Sequence, residues 1–368
     1  MSSIGHGNPE RAAETSGADG GAPASWWIYQ GTGEPHDGIG RLPDPPPWRA
    51  FDALDDEAEL LDPPSRTDAL SGRKLGRARQ AAAYRADARE VHLVNLALYL
   101  RRPLLVTGRP GVGKSTLAYS IARELGLGPV LRWPITSRST LQDGLYHYDA
   151  IGRLQEAGLR YRSAGDTEAA TPDIGPYLRL GPLGTAFLPW RLPRVLLVDE
   201  IDKSDIDLPN DLLNVFEEGE FTIPELSRLG DSPTTVMSAD SGAWVTVRGG
   251  LVRCAQFPVM VLTSNSEREF PPAFLRRCLR LEIAAPSDEK IAGMVAAHFS
   301  GSELLSSVPE AVRTDVIAEF VSRQRTQGAE LASDQLLNAL LMVSHGLWAD
   351  PESRRVIERD VLHPLNEG

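Results

Sequence analysis

The stretch Pro103-Leu104-Leu105-Val106-Thr107-Gly108-Arg109-Pro110-Gly111-Val112-Gly113-Lys114-Ser115 decides how this chain is read. Its last eight residues fit G-x-x-x-x-G-K-[ST] in the setting that motif requires. An apolar run leads in, and Leu117, Ile121 and Leu125 recur behind it at fourfold spacing, as on one face of a helix. Strand, glycine loop and helix are all expected. Glycines let backbone N–H groups curl around phosphate oxygens, and the helix N-terminus adds the positive end of its dipole. Lys114 is placed to reach the β- and γ-phosphates and Ser115 to offer a hydroxyl to Mg2+. The nucleotide-binding candidates are Gly108, Pro110, Gly111, Val112, Gly113, Lys114, Ser115 and Thr116. Lysine is scarce elsewhere: Lys74, Lys114, Lys203 and Lys290 stand against 34 arginines. The loop needs the compact ammonium, because a planar guanidinium does not fit the cradle. The implied ligand is a nucleoside triphosphate.

Two downstream segments supply the rest of a hydrolytic site. Val195-Leu196-Leu197-Val198-Asp199-Glu200 reads as a buried strand ending in two carboxylates. Asp199 can hold Mg2+ through water, and Glu200 can polarise the water that attacks the γ-phosphate. A later apolar strand ends Leu262-Thr263-Ser264-Asn265. If it lies between the first and third strands, Asn265 sits beside the γ-phosphate and orients the attacking water; otherwise it is a turn asparagine. Asp202-Lys203-Ser204-Asp205 superficially resembles the guanine-reading N-K-x-D pattern. It begins with Asp and follows the carboxylates directly, so it cannot reach a base, and ATP is expected rather than GTP. The histidines, including His147 between two tyrosines, show no ligand spacing.

Composition sets the outer bounds. With 368 residues and 42% hydrophobic content, the chain can build one large or two modest cores. A formal charge of −12 argues against nonspecific nucleic-acid binding, and no direct nucleic-acid contact is expected. Cys254 and Cys278 have no C-x-x-C spacing, so a cysteine zinc site is excluded and reduced thiols are expected. No apolar run approaches a membrane span and no basic-then-apolar start is present, so a cytoplasmic protein without membrane contact is expected.

Three regions are expected: an acidic Pro/Gly-rich extension over 1–76, an α/β nucleotide domain over 77–286 and a helical lid over 287–368. The first 75 residues hold thirteen acidic and six basic side chains and read as mostly flexible. Two aromatic islands interrupt them, Trp26-Trp27-Ile28-Tyr29 before Gly31-Thr32-Gly33, and Pro45-Pro46-Pro47-Trp48-Arg49-Ala50-Phe51. They either dock on the chain's own domain or bind a partner. Parallel strands are predicted at Pro103–Thr107, Val130–Trp133, Val195–Val198, Val259–Leu262 and Leu279–Ile283. A capped helix runs from Asp207 through Leu212, Leu213 and Phe216 to Gly219. Thr234–Met237 and Ala243–Val247 form a hairpin. In the tail, Ser333 caps a helix with Leu336, Leu337, Leu340 and Leu341 on one face and Gly346 at its end.

This P-loop resembles that of the MoxR branch of the AAA+ ATPases when taken in order with Leu141-Gln142-Asp143-Gly144-Leu145-Tyr146-His147-Tyr148-Asp149-Ala150, Asp199-Glu200-Ile201-Asp202-Lys203-Ser204, Thr263-Ser264-Asn265 and Phe270-Pro271-Pro272-Ala273-Phe274-Leu275-Arg276-Arg277-Cys278. The resemblance covers about Asp87 to Gly346. It implies an αβα fold with a five-stranded parallel sheet of order 5-1-4-3-2, a helical lid, ATP and Mg2+ as ligands, and ring-shaped homo-oligomers, usually hexamers. It also implies a partner protein to remodel or activate, in this branch one carrying a von Willebrand A domain. By position, Asn265 matches the sensor 1 residue and Arg277 the arginine finger given to a neighbouring subunit, with Arg276 competing; the alternative for the arginine pair is a structural surface salt bridge. The sensor 2 arginine is missing, since Ser333-Asp334-Gln335 stands in its place. Either lid coupling is weak, or Arg323 or Arg325 substitutes. Weak coupling favours a nucleotide-gated scaffold or switch in a defence or signalling complex, and the motor subunit of a DNA-restriction assembly is a further alternative.

Overall fold

The computed structural model describes residues 24–51, 60–64, 80–164, 172–284, 291, 309–326, 333–348 and 350–362. The described strands are β1 (Leu104–Thr107), β2 (Leu131–Pro134), β3 (Tyr146–Tyr148), β4 (Leu178–Leu180), β5 (Val195–Asp199), β6 (Glu220–Thr222), β7 (Thr234–Met237), β8 (Trp244–Val247), β9 (Leu251–Arg253), β10 (Val259–Ser264) and β11 (Leu279–Glu282). Five of them form one wholly parallel sheet in the order β11-β1-β10-β5-β2. Numbered among themselves in chain order, these strands run 5-1-4-3-2, the arrangement the resemblance implies.

Alternation along each strand divides the core in two, because successive side chains point to opposite faces. Leu104, Val106, Val195, Leu197, Val261 and Leu281 face the helices Ala88–Leu100 and Lys114–Glu124. Leu105, Trp133, Leu196, Val198, Met260 and Leu262 face the other layer, which includes Leu183, Leu212, Phe216 and Phe274. Both faces are covered, which explains strands that read as unbroken apolar runs.

The register sets up the site. Thr107 pairs with Ser264, and Pro134 with Asp199, so β1, β2, β5 and β10 all end at the same edge of the sheet. Ligands bind outside such carboxyl ends in open α/β sheets.

Beyond the main sheet, the expected hairpin β7–β8 is present and antiparallel. It is half of a second sheet, β3-β4-β7-β8, whose short strands β3 and β4 were not anticipated. Arg194, fully buried before β5, secures this layer with hydrogen bonds of 2.8 and 2.9 Å to Asp240 and one of 3.0 Å to the Pro129 carbonyl. The helix Leu208–Glu218 ends at Gly219 in the left-handed region as expected, but the Asp207 side chain makes no capping bond. In the tail, helices Glu310–Thr326, Ser333–Ser344 and Pro351–Val356 enclose a separate small core. Leu336, Ala339, Leu340 and Val343 form the buried stripe. Leu341 is exposed, a correction to the expected face, and the side chains of Ser333 and Leu337 lie outside the described residues. The boundaries expected at 76/77 and 286/287 also lie outside them. No helix among the described residues is long and apolar enough to cross a membrane.

The described part of the N-terminal segment is a strap bound to the domain, which decides between the two alternatives for the aromatic islands in favour of docking on the chain's own domain. Ile28 and Tyr29 are wholly buried beside the Ala88–Leu100 and Lys114–Glu124 helices. Asn95 Oδ1 accepts the backbone N–H groups of Ile28 (2.6 Å) and Tyr29 (3.0 Å), and its amide donates back to the Tyr29 carbonyl (2.7 Å). The buried Glu124 carboxylate accepts N–H groups from Gln30 (2.5 Å), Gly31 (3.1 Å) and Gly33 (2.9 Å). Gly31 has a φ of +73°, and a Cβ there would lie 2.6 Å from that of Ala86, so only glycine fits this turn. Further on, Arg49 donates to the Phe216 carbonyl (2.6 Å) and Phe51 stacks on Phe257.

Candidate functional site

The P-loop lies between β1 and the Lys114–Glu124 helix, where strand and glycine spacing place it. Gly108 has a φ of +146°, and a Cβ there would approach the Ile283 carbonyl to 2.5 Å, which is why the loop must open on glycine. Val112 is buried and pins the loop from beneath, while Arg109, Pro110 and Gly111 are exposed and Gly113, Ser115 and Thr116 are half-buried. The Lys114 ammonium donates to the carbonyls of Gly108 (2.7 Å) and Arg109 (2.8 Å) and to Asn265 Oδ1 (2.7 Å). Burial pulls its pKa below the ordinary lysine value, and Asp202, Glu200 and Asp199 work against that shift. A buried cation held by three neutral oxygens is ready for a stronger anionic partner.

Asp199 ends β5 almost fully buried. Its Oδ1 accepts hydrogen bonds from the hydroxyls of Ser115 (2.7 Å) and Thr263 (2.9 Å). Its Oδ2 accepts two more from Arg132, from Nε at 3.0 Å and Nη2 at 2.6 Å. Burial favours the neutral acid here, but the bonds from Ser115, Arg132 and Thr263 together hold the carboxyl below the usual carboxylate range. A hydroxyl and an ionised carboxylate in contact are hard oxygen donors, and they fit Mg2+. Ser115 and Asp199 are the residues that would hold it.

Glu200 follows with a φ of +64°, a left-handed conformation uncommon for a residue with a side chain. Its N–H donates to Thr263 Oγ1 (2.9 Å), which fixes the turn. Its carboxylate is half-exposed and accepts from Lys203 Nζ (2.9 Å). Asn265 stands at the end of β10, between β1 and β5, where the expected strand order puts it. The buried Asp202 holds this turn by accepting the N–H groups of Asn265 (2.8 Å) and Glu267 (3.3 Å) through Oδ2. Lys114, Ser115, Asp199, Glu200 and Asn265 are thus brought to one edge of the sheet.

Arg277 is ion-paired within this chain. Its Nε donates to Glu217 Oε1 (2.5 Å), and Glu217 is also 3.7 Å from Arg49 of the strap. Arg276, on the same short helix Pro272–Arg277, is exposed. In the tail, Arg323 is occupied by Glu319 (2.7 Å) and the Glu358 carbonyl (2.6 Å), while Gln335 is buried. The Arg325 side chain lies outside the described residues. His147 is exposed, and no cluster of His, Cys, Asp and Glu suited to a metal occurs among the described residues.

Two contributors were not singled out from sequence, Arg132 and Asp202. The signal for Arg132 was present: a charged residue between Leu131 and Trp133, inside a strand predicted to be buried. Asp202 stands in both the guanine-like pattern and the MoxR-like stretch, with no role of its own assigned there.

Residues 103–278 match the family model described as an AAA domain of the dynein-related subfamily. The matched stretch spans β1, β2, β5 and β10, four of the five strands of the main sheet, and the whole P-loop, a little under half of the chain; β11 begins just past its end. The match and the parallel sheet give this stretch the fold of an AAA+ P-loop domain and support an AAA+ ATPase, a class whose members generally bind and hydrolyse ATP. No curated protein matches the chain.

Proposed function

We propose that the chain is a MoxR-type AAA+ ATPase that hydrolyses ATP with Mg2+, assembles as a homo-oligomeric ring, a hexamer, and spends turnover on remodelling or activating a partner protein with a von Willebrand A domain. The observation that carries the chemistry is the convergence of the Lys114 ammonium, the Asn265 amide and the Ser115–Asp199 pair at the ends of β1, β5 and β10. The ordered motifs from Leu141 to Cys278 support the MoxR branch.

In this reading Lys114 leaves its carbonyl partners for the β- and γ-phosphates. Ser115 and Asp199 would hold the metal, which would supply charge neutralisation to the phosphates. Glu200 leaves Lys203 and takes up the attacking water, which Asn265 orients. The Pro272–Arg277 helix faces the neighbour's nucleotide, with Arg276 extended and Arg277 braced by Glu217.

Lys114→Ala is expected to abolish nucleotide binding. Glu200→Gln should retain binding but lose hydrolysis by at least about a hundredfold, since it removes only the water-activating carboxylate. Nucleotide titration and phosphate release measure both, and full turnover by the Glu200→Gln protein would refute the assignment. Subunits carrying Arg276→Ala or Arg277→Ala, each mixed with Lys114→Ala subunits, identify the finger by which mixture regains activity.

A second reading, a nucleotide-gated switch, is favoured by Gln335 in place of a sensor 2 arginine and by the engagement of Arg323 within the tail. Steady-state turnover with and without a partner separates the two.

A further inference from the structure

We propose that Arg132 is a resident cation of the metal site. It holds Asp199 while no metal is bound and yields that position to magnesium, so that Arg132 sets the metal requirement of nucleotide binding. This rests on the Mg2+–nucleotide reading above.

An ionised carboxylate offers about four acceptor positions. At Asp199 all four are taken: Ser115 and Thr263 on Oδ1, and Arg132 twice on Oδ2. A hydrated cation arriving at the Ser115 hydroxyl needs one of these positions for its own ligand or water. Ser115 belongs to the metal's own set. Thr263 is buried and simultaneously accepts the Glu200 N–H, so it cannot leave without undoing that turn. Arg132 remains. Its side chain is 40% exposed at the sheet edge, on a strand whose pattern alternates inward and outward, and it can swing into water.

Electrostatics points the same way. With Arg132 in place, the buried carboxylate is already neutralised. A divalent cation added beside the guanidinium would meet like charge at close range in a site of low dielectric. Once the metal is bound, Asp199 no longer needs the arginine. The two cations therefore alternate at one carboxylate. A guanidinium suits the resident role because its planar fork meets the same oxygen through two N–H groups and fills both lone pairs. Arg132 is a positioning residue, acting through Asp199.

The test is a Mg2+ titration of binding of a fluorescent ADP analogue to the full chain, wild type and Arg132→Gln, with a parallel titration in EDTA. The half-saturating Mg2+ concentration should fall about tenfold in the variant, the scale of one charge-assisted contact. In EDTA the same variant should bind the analogue at least about threefold more weakly, because a bare carboxylate then faces the phosphates. A merely structural ion pair would weaken both or neither, so the opposite signs identify cation exchange. Arg132→Lys, which keeps the charge but loses the fork, should lower the half-saturating Mg2+ by about threefold, and it carries the test if Arg132→Gln does not fold. An unchanged or raised Mg2+ requirement in a variant that still binds the analogue overturns the proposal and leaves the nucleotide reading intact. Failure of the wild type to bind the analogue with Mg2+ overturns both.

Discussion

The strap and the helix Ala150–Ala164 contradict their own sequences in opposite directions. The strap is rich in glycine and proline and has little regular structure, yet Ile28 and Tyr29 are among the most buried residues of the protein. The helix is regular, with Ile151, Leu154, Leu159 and Tyr161 spread along it, yet these four side chains are 57–75% exposed. Its polar residues are the ones that pack: Arg153 donates to the Pro172 carbonyl (3.2 Å) and to Tyr148, and Glu156 accepts from Tyr177. The difference lies in backbone hydrogen bonds. An irregular segment cannot be buried unless something takes up its N–H groups, and Asn95 and Glu124 do so for the strap. A helix satisfies its own backbone, so nothing obliges it to settle on the core.

The largest effect that would break this comparison is expected at Tyr29. Tyr29→Ala empties a fully buried aromatic site and removes the 2.9 Å hydrogen bond to Ser120. A loss of about 3–5 kcal/mol is expected in urea unfolding. A loss below about 1 kcal/mol would mean that the strap only decorates the domain.

Glu124→Gln comes next. It keeps the shape but turns an acceptor-only group into one whose NH2 faces donors, at an expected cost of about 2–3 kcal/mol. Hydrogen exchange should accelerate from Gln30 to Gly33 and not at β1 or β5. Uniform acceleration would show that Glu124 supports the whole domain rather than the strap alone.

The smallest effects sharpen the contrast. Trp48 belongs to the strap but is 76% exposed, and Leu154 on the helix is 75% exposed. Trp48→Ala and Leu154→Ser should each change unfolding free energy by no more than about 0.5 kcal/mol. A larger loss for Leu154→Ser in a concentration-dependent unfolding curve would mean that this helix face is covered in an assembly.

Much of the catalytic edge was legible because local chemistry dictates it. The P-loop needs Gly108, Lys114 and Ser115 in sequence, and a carboxylate at the end of an apolar run can hardly mark anything but a strand tip. The second sheet was less legible, since β3 and β4 have three residues each, too few for a period-2 pattern to show. Arg277 was legible as a motif and as a possible half of a salt bridge, but its partner was not, because Glu217 lies 60 residues away.

The strands of the main sheet, their buried character and the identity of the nucleotide-binding loop are properties of the sequence by itself, because hydrophobic periodicity and glycine conformation act over neighbouring residues. Which partner each polar group finds is decided only in three dimensions. Asn95 reaches Tyr29 across 66 residues, Arg132 reaches Asp199 across 67, and Lys114 reaches Asn265 across 151. A buried donor or acceptor must be paired, but the requirement names no position in the chain, so the packed sheet and its register choose the partner.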